Sequence, residues 1–283
     1  MLKIKPSLKK LKFRKLTKLI LVPILLVIFT LAVFYCLPQS KKLEVDFLDV
    51  GQGDSILIKT PTGKTVLIDG GPDNSVLRRL SEVLPFYKKK IDLIIISHYH
   101  DDHTIGLVEI FKRYQAKNLI YSNYGSSSPV MKIITRLAKD KKISSLILKD
   151  AAQIELEKNC FLNLLSPEIF KVTADGNNSL LAKLNCENKK FLFTGDNSSK
   201  IEKALLNSNW NLAADVFKAA HHGSNSANSE NFLRAVKPQK IVISVGQDNR
   251  FGHPNTQALK RMEQLNLKVY RTDKEGNIRF FSQ

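Results

Sequence analysis

The sequence predicts an α/β layered domain behind one N-terminal membrane helix, and three observations lead there. Of the 283 residues, 43% are hydrophobic and 25% charged, the balance of a globular protein with a sizeable core rather than of a disordered chain. Short apolar runs bounded by turn residues alternate with longer stretches of helical periodicity, the pattern of layered α/β domains. Between Leu19 and Leu37 no residue is charged, and eight basic side chains precede that run. With three cysteines and no fixed-period repeat, the chain is neither a disulfide-stapled miniprotein nor a repeat array.

The elements follow in chain order. Residues 1–18 hold Lys3, Lys5, Lys9, Lys10, Lys12, Arg14, Lys15 and Lys18 and no acid. As a helix, residues 19–37 span about 28 Å, close to a hydrocarbon core of roughly 30 Å. Pro23 near the start is tolerable in such a helix. The positive-inside rule then places the N-terminus in the cytoplasm, residues 38–42 as a linker, and 43–283 as one extracellular domain. A cleaved signal peptide is the competing reading, but Phe34-Tyr35-Cys36-Leu37-Pro38 offers no small-residue cleavage site.

Beyond the linker, strands are expected at residues 43–48, 55–59 and 65–68, with a hairpin turn at Pro61-Thr62-Gly63. A helix at 75–84 precedes an apolar strand at 91–96. Further strands are expected near 118–121, 144–148, 160–165, 179–184, 190–193, 216–219 and 240–244, with helices near 129–139, 199–206, 229–236 and 256–265. Gly125-Ser126-Ser127-Ser128 reads as a mobile loop. Cys160 and Cys186 lie in strand-like stretches, as a disulfide or as two buried thiols.

All six histidines fall in three segments: His98, His100 and His103; His221 and His222; and His253. The first three lie in Ser97-His98-Tyr99-His100-Asp101-Asp102-His103, directly after the apolar strand. His98 and His100, two apart, project the same way, while Asp102 and His103 aim at a neighbouring point from the following turn. Imidazole nitrogens with carboxylate oxygens suit zinc or another first-row divalent ion, and two adjacent ions suit hydrolysis of an ester or phosphodiester.

His98-Tyr99-His100-Asp101-Asp102-His103 resembles the metal motif of the metallo-β-lactamase superfamily. Asp49-Val50-Gly51-Gln52-Gly53-Asp54-Ser55, Asp69-Gly70-Gly71, Asn177-Asn178-Ser179, Thr194-Gly195-Asp196, His221-His222-Gly223-Ser224 and Gly252-His253-Pro254 narrow it. In their order they resemble the hydrolase domain of ComEC-type DNA-internalisation competence proteins, from about residue 43 to the C-terminus. The resemblance implies a four-layer αβ/βα metallo-β-lactamase sandwich with two divalent ions, zinc or manganese, at one edge of its sheets. His98 and His100 would hold the first ion, Asp102 and His103 the second, and Asp196 would bridge both. His222 is the choice for the remaining second-site ligand, with His221 close behind; one binds metal and the other meets substrate. Asp69 would orient a ligating imidazole from behind. Asp49, Gln52 and Asp54 are either site contacts or parts of a structured turn, and His253 is a phosphate donor, a general acid or a loop cap.

Three departures qualify the resemblance. His100 stands where many members carry Asp; the usual third histidine of the first site is missing, with Asp175, Asn177 or Asn178 nearest its place; and the many membrane spans of a DNA channel are absent. The expected activity is therefore that of an anchored phosphodiesterase or nuclease, with Asp102 essential to turnover, acting on DNA beside a separate channel protein. A small or wall-linked phosphodiester, of phosphorylcholine or teichoic-acid type, is the alternative substrate, and non-catalytic DNA binding a third reading. The charge agrees with an anionic partner: 44 basic against 26 acidic residues give +18, of which +10 lies beyond the N-terminal cluster. Lys218, Lys189 and Lys190 read as phosphate contacts or a solvated face. Gly51-Gln52-Gly53 precedes a strand, which argues against a nucleotide-binding loop.

Overall fold

The computed structural model describes residues 19–32, 42–122, 128–172 and 178–282. The basic segment 1–18, the end of the apolar run and linker at 33–41, most of the Gly125 loop, Asp175 and Asn177 lie outside the described residues. Residues 19–32 form a helix, α1, whose apolar side chains are exposed along its whole length. No helix among the described residues is long and apolar enough to cross a membrane; the run read as a span continues to Leu37.

Residues 42–283 form a compact unit of their own. Two seven-stranded sheets build it. The first contains β1 (Glu44–Phe47), β2 (Ile56–Lys59), β3 (Thr65–Ile68), β4 (Lys90–Ile96), β5 (Gln115–Tyr121) and β6 (Ser144–Ile147) side by side in chain order. The second runs likewise through β7 (Ala151–Glu157), β8 (Cys160–Leu165), β9 (Leu181–Cys186), β10 (Lys189–Phe193), β11 (Val216–Lys218), β12 (Lys240–Ile243) and β13 (Lys268–Arg271). The chain then crosses back, and β14 (Ile278–Phe281) joins the first sheet beside β1. In each sheet an antiparallel half meets a parallel half, at β3–β4 and at β10–β11.

The layers follow from strand alternation. In β4, Leu93 and Ile95 point between the sheets, whereas Ile94 and Ile96 point at the layer of α2 (Ser75–Val83), α3 (Asp101–Arg113) and α4 (Pro129–Asp140). An apolar run without a polar partner is what a strand buried on both faces requires, and each such side chain contributes about 1.5–3 kcal/mol. The second sheet repeats the arrangement: Phe191 and Phe193 face the inter-sheet core, and Leu192 meets the layer of α5 (Ser199–Leu206), α6 (Glu230–Val236) and α7 (Thr256–Gln264). The result is the αβ/βα sandwich.

Three strands escaped the sequence reading. β7 and β13 are edge strands with much of their surface in solvent, so polar and charged residues leave no continuous apolar run to mark them. β14 acquires its identity from β1, more than two hundred residues earlier. Cys160 and Cys186 face each other across β8 and β9 and are joined as a disulfide, which decides between the two readings of that pair.

Candidate metal centre

Parallel strands of both sheets end on one rim, and the histidine segments leave from those ends. After Ile96 the chain passes through Ser97-His98-Tyr99-His100 and turns into α3, whose first turn holds Asp102 and His103. His98 and His103 are buried, with ring centroids 4.1 Å apart, and the exposed His100 lies edge-on to His98 at 4.5 Å. Two glycines permit this crowding. A Cβ on Gly53 would stand 2.1 Å from the Asp102 carbonyl, and one on Gly106 would stand 1.9 Å from that of Gly70. The Asp54 loop and the Asp69 turn are thereby seated against α3.

The second sheet supplies the facing donors. Asp196 follows β10 in the Thr194-Gly195-Asp196 turn, and His222 follows β11 in a turn where His221 and His222 both have positive φ, near 50°. Asp196 Oδ1 is 3.4 Å from His103 Nε2 and 3.5 Å from His222 Nε2, while its Oδ2 is 3.7 Å from His98 Nε2. Asp102 Oδ2 is 3.3 Å from His222 Nε2 and 3.9 Å from His103 Nε2. The donors fall into two groups sharing Asp196: Asp102, His103, Asp196 and His222; and His98, His100 and Asp196, each within 4.8 Å. A third group joins Asp54, Asp69 and His103.

A layer behind these donors fixes their orientation. His103 Nδ1 donates to Asp69 Oδ2 at 2.8 Å; Asp69 also accepts from the Ser97 amide and hydroxyl. With its proton given to Asp69, Ser97 Oγ accepts from His98 Nδ1 at 3.1 Å. His222 Nδ1 donates to the Ser244 carbonyl, just past β12, at 2.8 Å. All three imidazoles therefore turn Nε2 inward, as outer partners do for ligating histidines. Asn228 pins the His221-His222 turn by accepting from the Ala220 amide and donating to the Ala220 and Ser224 carbonyls.

The electrostatics follow from burial and from the carboxylates. Burial depresses His98, helped by the neighbouring His103, so it is held neutral. Burial also opposes charge on His103 and His222, but Asp196 and the nearby Asp69 or Asp102 outweigh it. His103 is lifted well above the usual imidazole range and His222 to about 9. Burial opposes ionisation of Asp196 and Asp102 as well, and the imidazoles overcome it, holding both carboxyls well below the usual range.

The unpartnered atoms of the cluster decide whether it fits a metal. His98 Nε2, His103 Nε2, His222 Nε2 and Asp196 Oδ1 are buried without any hydrogen-bond partner. Orphaned buried polar atoms cost about 1–3 kcal/mol each, and four of them converging on one rim is what a cation would relieve. Nitrogen and oxygen donors in this ratio suit a first-row divalent ion. The cluster fits a metal.

The structure places the other expected residues as follows. Asp54 is buried and paired with Lys218. Asp49 is outside the three donor groups: its carboxylate pairs with Arg79, and its amide donates to Asn277. Gln52 ties the rim together by accepting from the Gly246 amide at 3.2 Å. Of the histidine pair, His222 is buried and belongs to a donor group, whereas the side chain of His221 is 24% exposed and its ring lies 5.5 Å from that of His253. His253 is half-buried with Nδ1 unpartnered, beside Phe251. Asn178 is buried with both amide atoms unpartnered.

Lys218 corrects the sequence reading. It is fully buried, ion-paired with Asp54 and 3.9 Å from Asp196 Oδ1, so it is neither a solvated lysine nor an open phosphate contact. Ser97, Ser244 and Asn228 were missed. Their roles rest on hydrogen bonds across the fold, and only the position of Ser97 directly before His98 offered a sequence clue.

Comparisons agree with this geometry. The metallo-beta-lactamase superfamily matches residues 48–138. ComE operon protein 3 of Bacillus subtilis is 30% identical over 272 residues, covering 90% of this chain and 34% of that protein. Recombination protein 2 of Haemophilus influenzae is 28% identical over 261 residues, covering 90% and 31%. The chain thus spans about one third of the length of these relatives. Among solved structures, the diiron β-hydroxylase CmlA of Streptomyces venezuelae superimposes with a TM-score of 0.56 at 12% identity, over 86% of this chain and 55% of that one. That likeness is one of fold, since one fold serves unrelated chemistries. With the rim donors and the fold taken together, the chain carries a metallo-β-lactamase-superfamily domain matched at residues 48–138 and is similar over most of its length to competence proteins.

Proposed function

We propose that this protein is a membrane-anchored, outward-facing hydrolase that uses two divalent ions, zinc or manganese, to cleave phosphodiesters, with DNA as substrate during DNA uptake. The observation that carries the reading is the convergence of three unpartnered Nε2 atoms and Asp196 Oδ1 on one rim. Such ions, when bound, polarise a phosphoryl oxygen and supply a nucleophile at neutral pH.

The residues divide the remaining tasks. His98 and His100 would hold one ion and Asp102, His103 and His222 the other, with Asp196 belonging to both donor groups. Asp69, Ser97 and the Ser244 carbonyl keep the imidazoles turned inward. His221 and His253 line the open side, and burial lowers both, so at neutral pH they are uncharged and serve as hydrogen-bond donors to a phosphate oxygen rather than as general acids. The +10 beyond the N-terminal cluster draws in a polyanion, giving salt-dependent binding. The name of Recombination protein 2 supports DNA as substrate, and a separate channel protein is the partner this reading calls for. The basic residues 1–18 before the uncharged run 19–37 support a single-pass anchor with a cytoplasmic N-terminus.

The test incubates the full chain, its metal content measured, with single- and double-stranded DNA in manganese or zinc, beside Asp102→Ala. Cleavage reduced at least about a hundredfold in the variant is expected. A protein holding two ions that leaves DNA intact but opens a small chromogenic phosphodiester would move the substrate to the wall-linked class. Salt-sensitive DNA binding that survives Asp196→Ala, with no hydrolysis of either substrate, would leave a non-catalytic binding protein.

A further inference from the structure

The outer face of the second sheet is divided. Leu165, Leu181 and Leu192 on that face are buried under the helical layer. Further from the rim the same face turns polar: Gln153 lies opposite Asn163, which lies opposite Lys183, and Asn185 lies opposite Lys190. α5, α6 and α7 do not cover this part; the Asn209-Trp210-Asn211 loop flanks it instead, leaving a cleft of about 460 Å³.

Its chemistry is one-sided. No carboxylate lines the cleft, whereas Lys183 and Lys190 both do. Lys183 is only 4% exposed and donates to the Asn211 carbonyl and side-chain oxygen at 2.6 and 3.2 Å. No acid pairs with it among the described residues, and burial together with Lys190 presses its ammonium below the usual range. A nearly buried cation without a counter-charge is unfavourable, and an anion entering the cleft relieves it. Trp210, half-buried, adds an aromatic surface, and the amides of Asn163, Asn185 and Asn211 add donors and acceptors.

We infer that this cleft is a groove for single-stranded nucleic acid, with phosphates on Lys183 and Lys190 and a base stacked on Trp210. Cationic tracking of the backbone beside an aromatic platform is how strands are held without sequence preference. A polyol-phosphate chain matches the lysines but has no π face for the tryptophan, and a neutral glycan leaves the lysines uncompensated. Lys190 on β10 precedes Asp196, in the turn that follows that strand, by six residues, at most about 20 Å of chain, so a nucleic-acid strand held here also reaches the donor rim. The inference rests on the nucleic-acid reading of that rim.

Trp210 is the single tryptophan of the chain, so intrinsic fluorescence reports on this groove alone. The full chain, kept in chelator so that nothing is cut, is titrated with an oligothymidylate of about 12 nucleotides. Quenching is expected, weakening as salt rises. Lys183→Gln and the exposed Lys190→Gln should each lower affinity about five- to tenfold and flatten the salt dependence, while Lys132→Gln on α4 changes nothing. Absent quenching, equal quenching by a glycerol-phosphate polymer or a neutral oligosaccharide, or indifference to both lysine variants would each overturn the groove. Because chelator removes hydrolysis from the readout, quenching without cleavage in the metal-loaded assay sinks only the hydrolase reading, and cleavage without quenching sinks only the groove.

Discussion

The two sheets contribute to the donor rim in different ways. The first delivers His98, His100, Asp102 and His103 within one hexapeptide, where β4 passes into α3. The second delivers Asp196, His222 and the Ser244 carbonyl from the ends of β10, β11 and β12, which are parallel neighbours. Adjacent strands lie about 4.8 Å apart, so residues more than twenty positions apart in sequence occupy one patch. The first half is a local device set by one strand end and one helix start. The second exists only when register brings three strand ends level. Lys218 and Asp54 join the halves, since Lys218 ends β11 and Asp54 precedes β2.

That joint is the place to break the comparison most strongly. Lys218→Met strands a buried Asp54 carboxylate, and removing one partner of a buried pair costs about 3–5 kcal/mol. Thermal unfolding of the variant should show a loss of that order, much of it restored in Lys218→Met with Asp54→Asn. Equal destabilisation of single and double variants would mean that the pair is not what joins the halves.

A smaller effect separates the halves. Asp69→Asn leaves the second half untouched but deprives His103 and Ser97 of their charged acceptor. Metal affinity should fall about 10- to 100-fold, measured by competition with a chromogenic chelator. Unaltered affinity would reduce Asp69 to a turn residue.

The smallest expected effect is a pH trend that both halves share. His103 and His222 have raised pKa values, so the stabilisation from their protonation is complete below the unfolded imidazole value of about 6.5. For His222 it is lost as pH rises through about 9. Metal ions compete with those protons for the same nitrogens. The rise in unfolding temperature on adding manganese or zinc should therefore grow between about pH 6.5 and 9, by up to roughly tenfold in affinity per unit for each proton displaced. A flat shift across that range would show that ions enter without using these imidazoles.

Much of this was legible in the sequence where the governing interactions are short-range. Short apolar runs bounded by turn residues located β1 to β4, and helical periodicity located α4 and α5, to within a few residues, because buried faces impose their pattern on the segment that carries them. Edge strands β7 and β13 lack such an apolar run, since one side of each stays in water and carries polar residues. Asp49 and Lys218 show the same limit from opposite directions. Asp49, which the sequence leaves as either a site contact or part of a structured turn, is held by Arg79. Lys218, which the sequence leaves as a phosphate contact or a solvated face, is buried against Asp54.

The sequence by itself determined the layered class, the hexapeptide donors and the basic excess, all of which depend on composition and on neighbours a few residues apart. Only the tertiary structure decided which histidine of the pair turns inward, where Lys218 hides its charge and that Cys160 meets Cys186. Those outcomes depend on strand register and on which buried atoms are left without a partner. Both are properties of residues distant in the chain, so no local pattern encodes them.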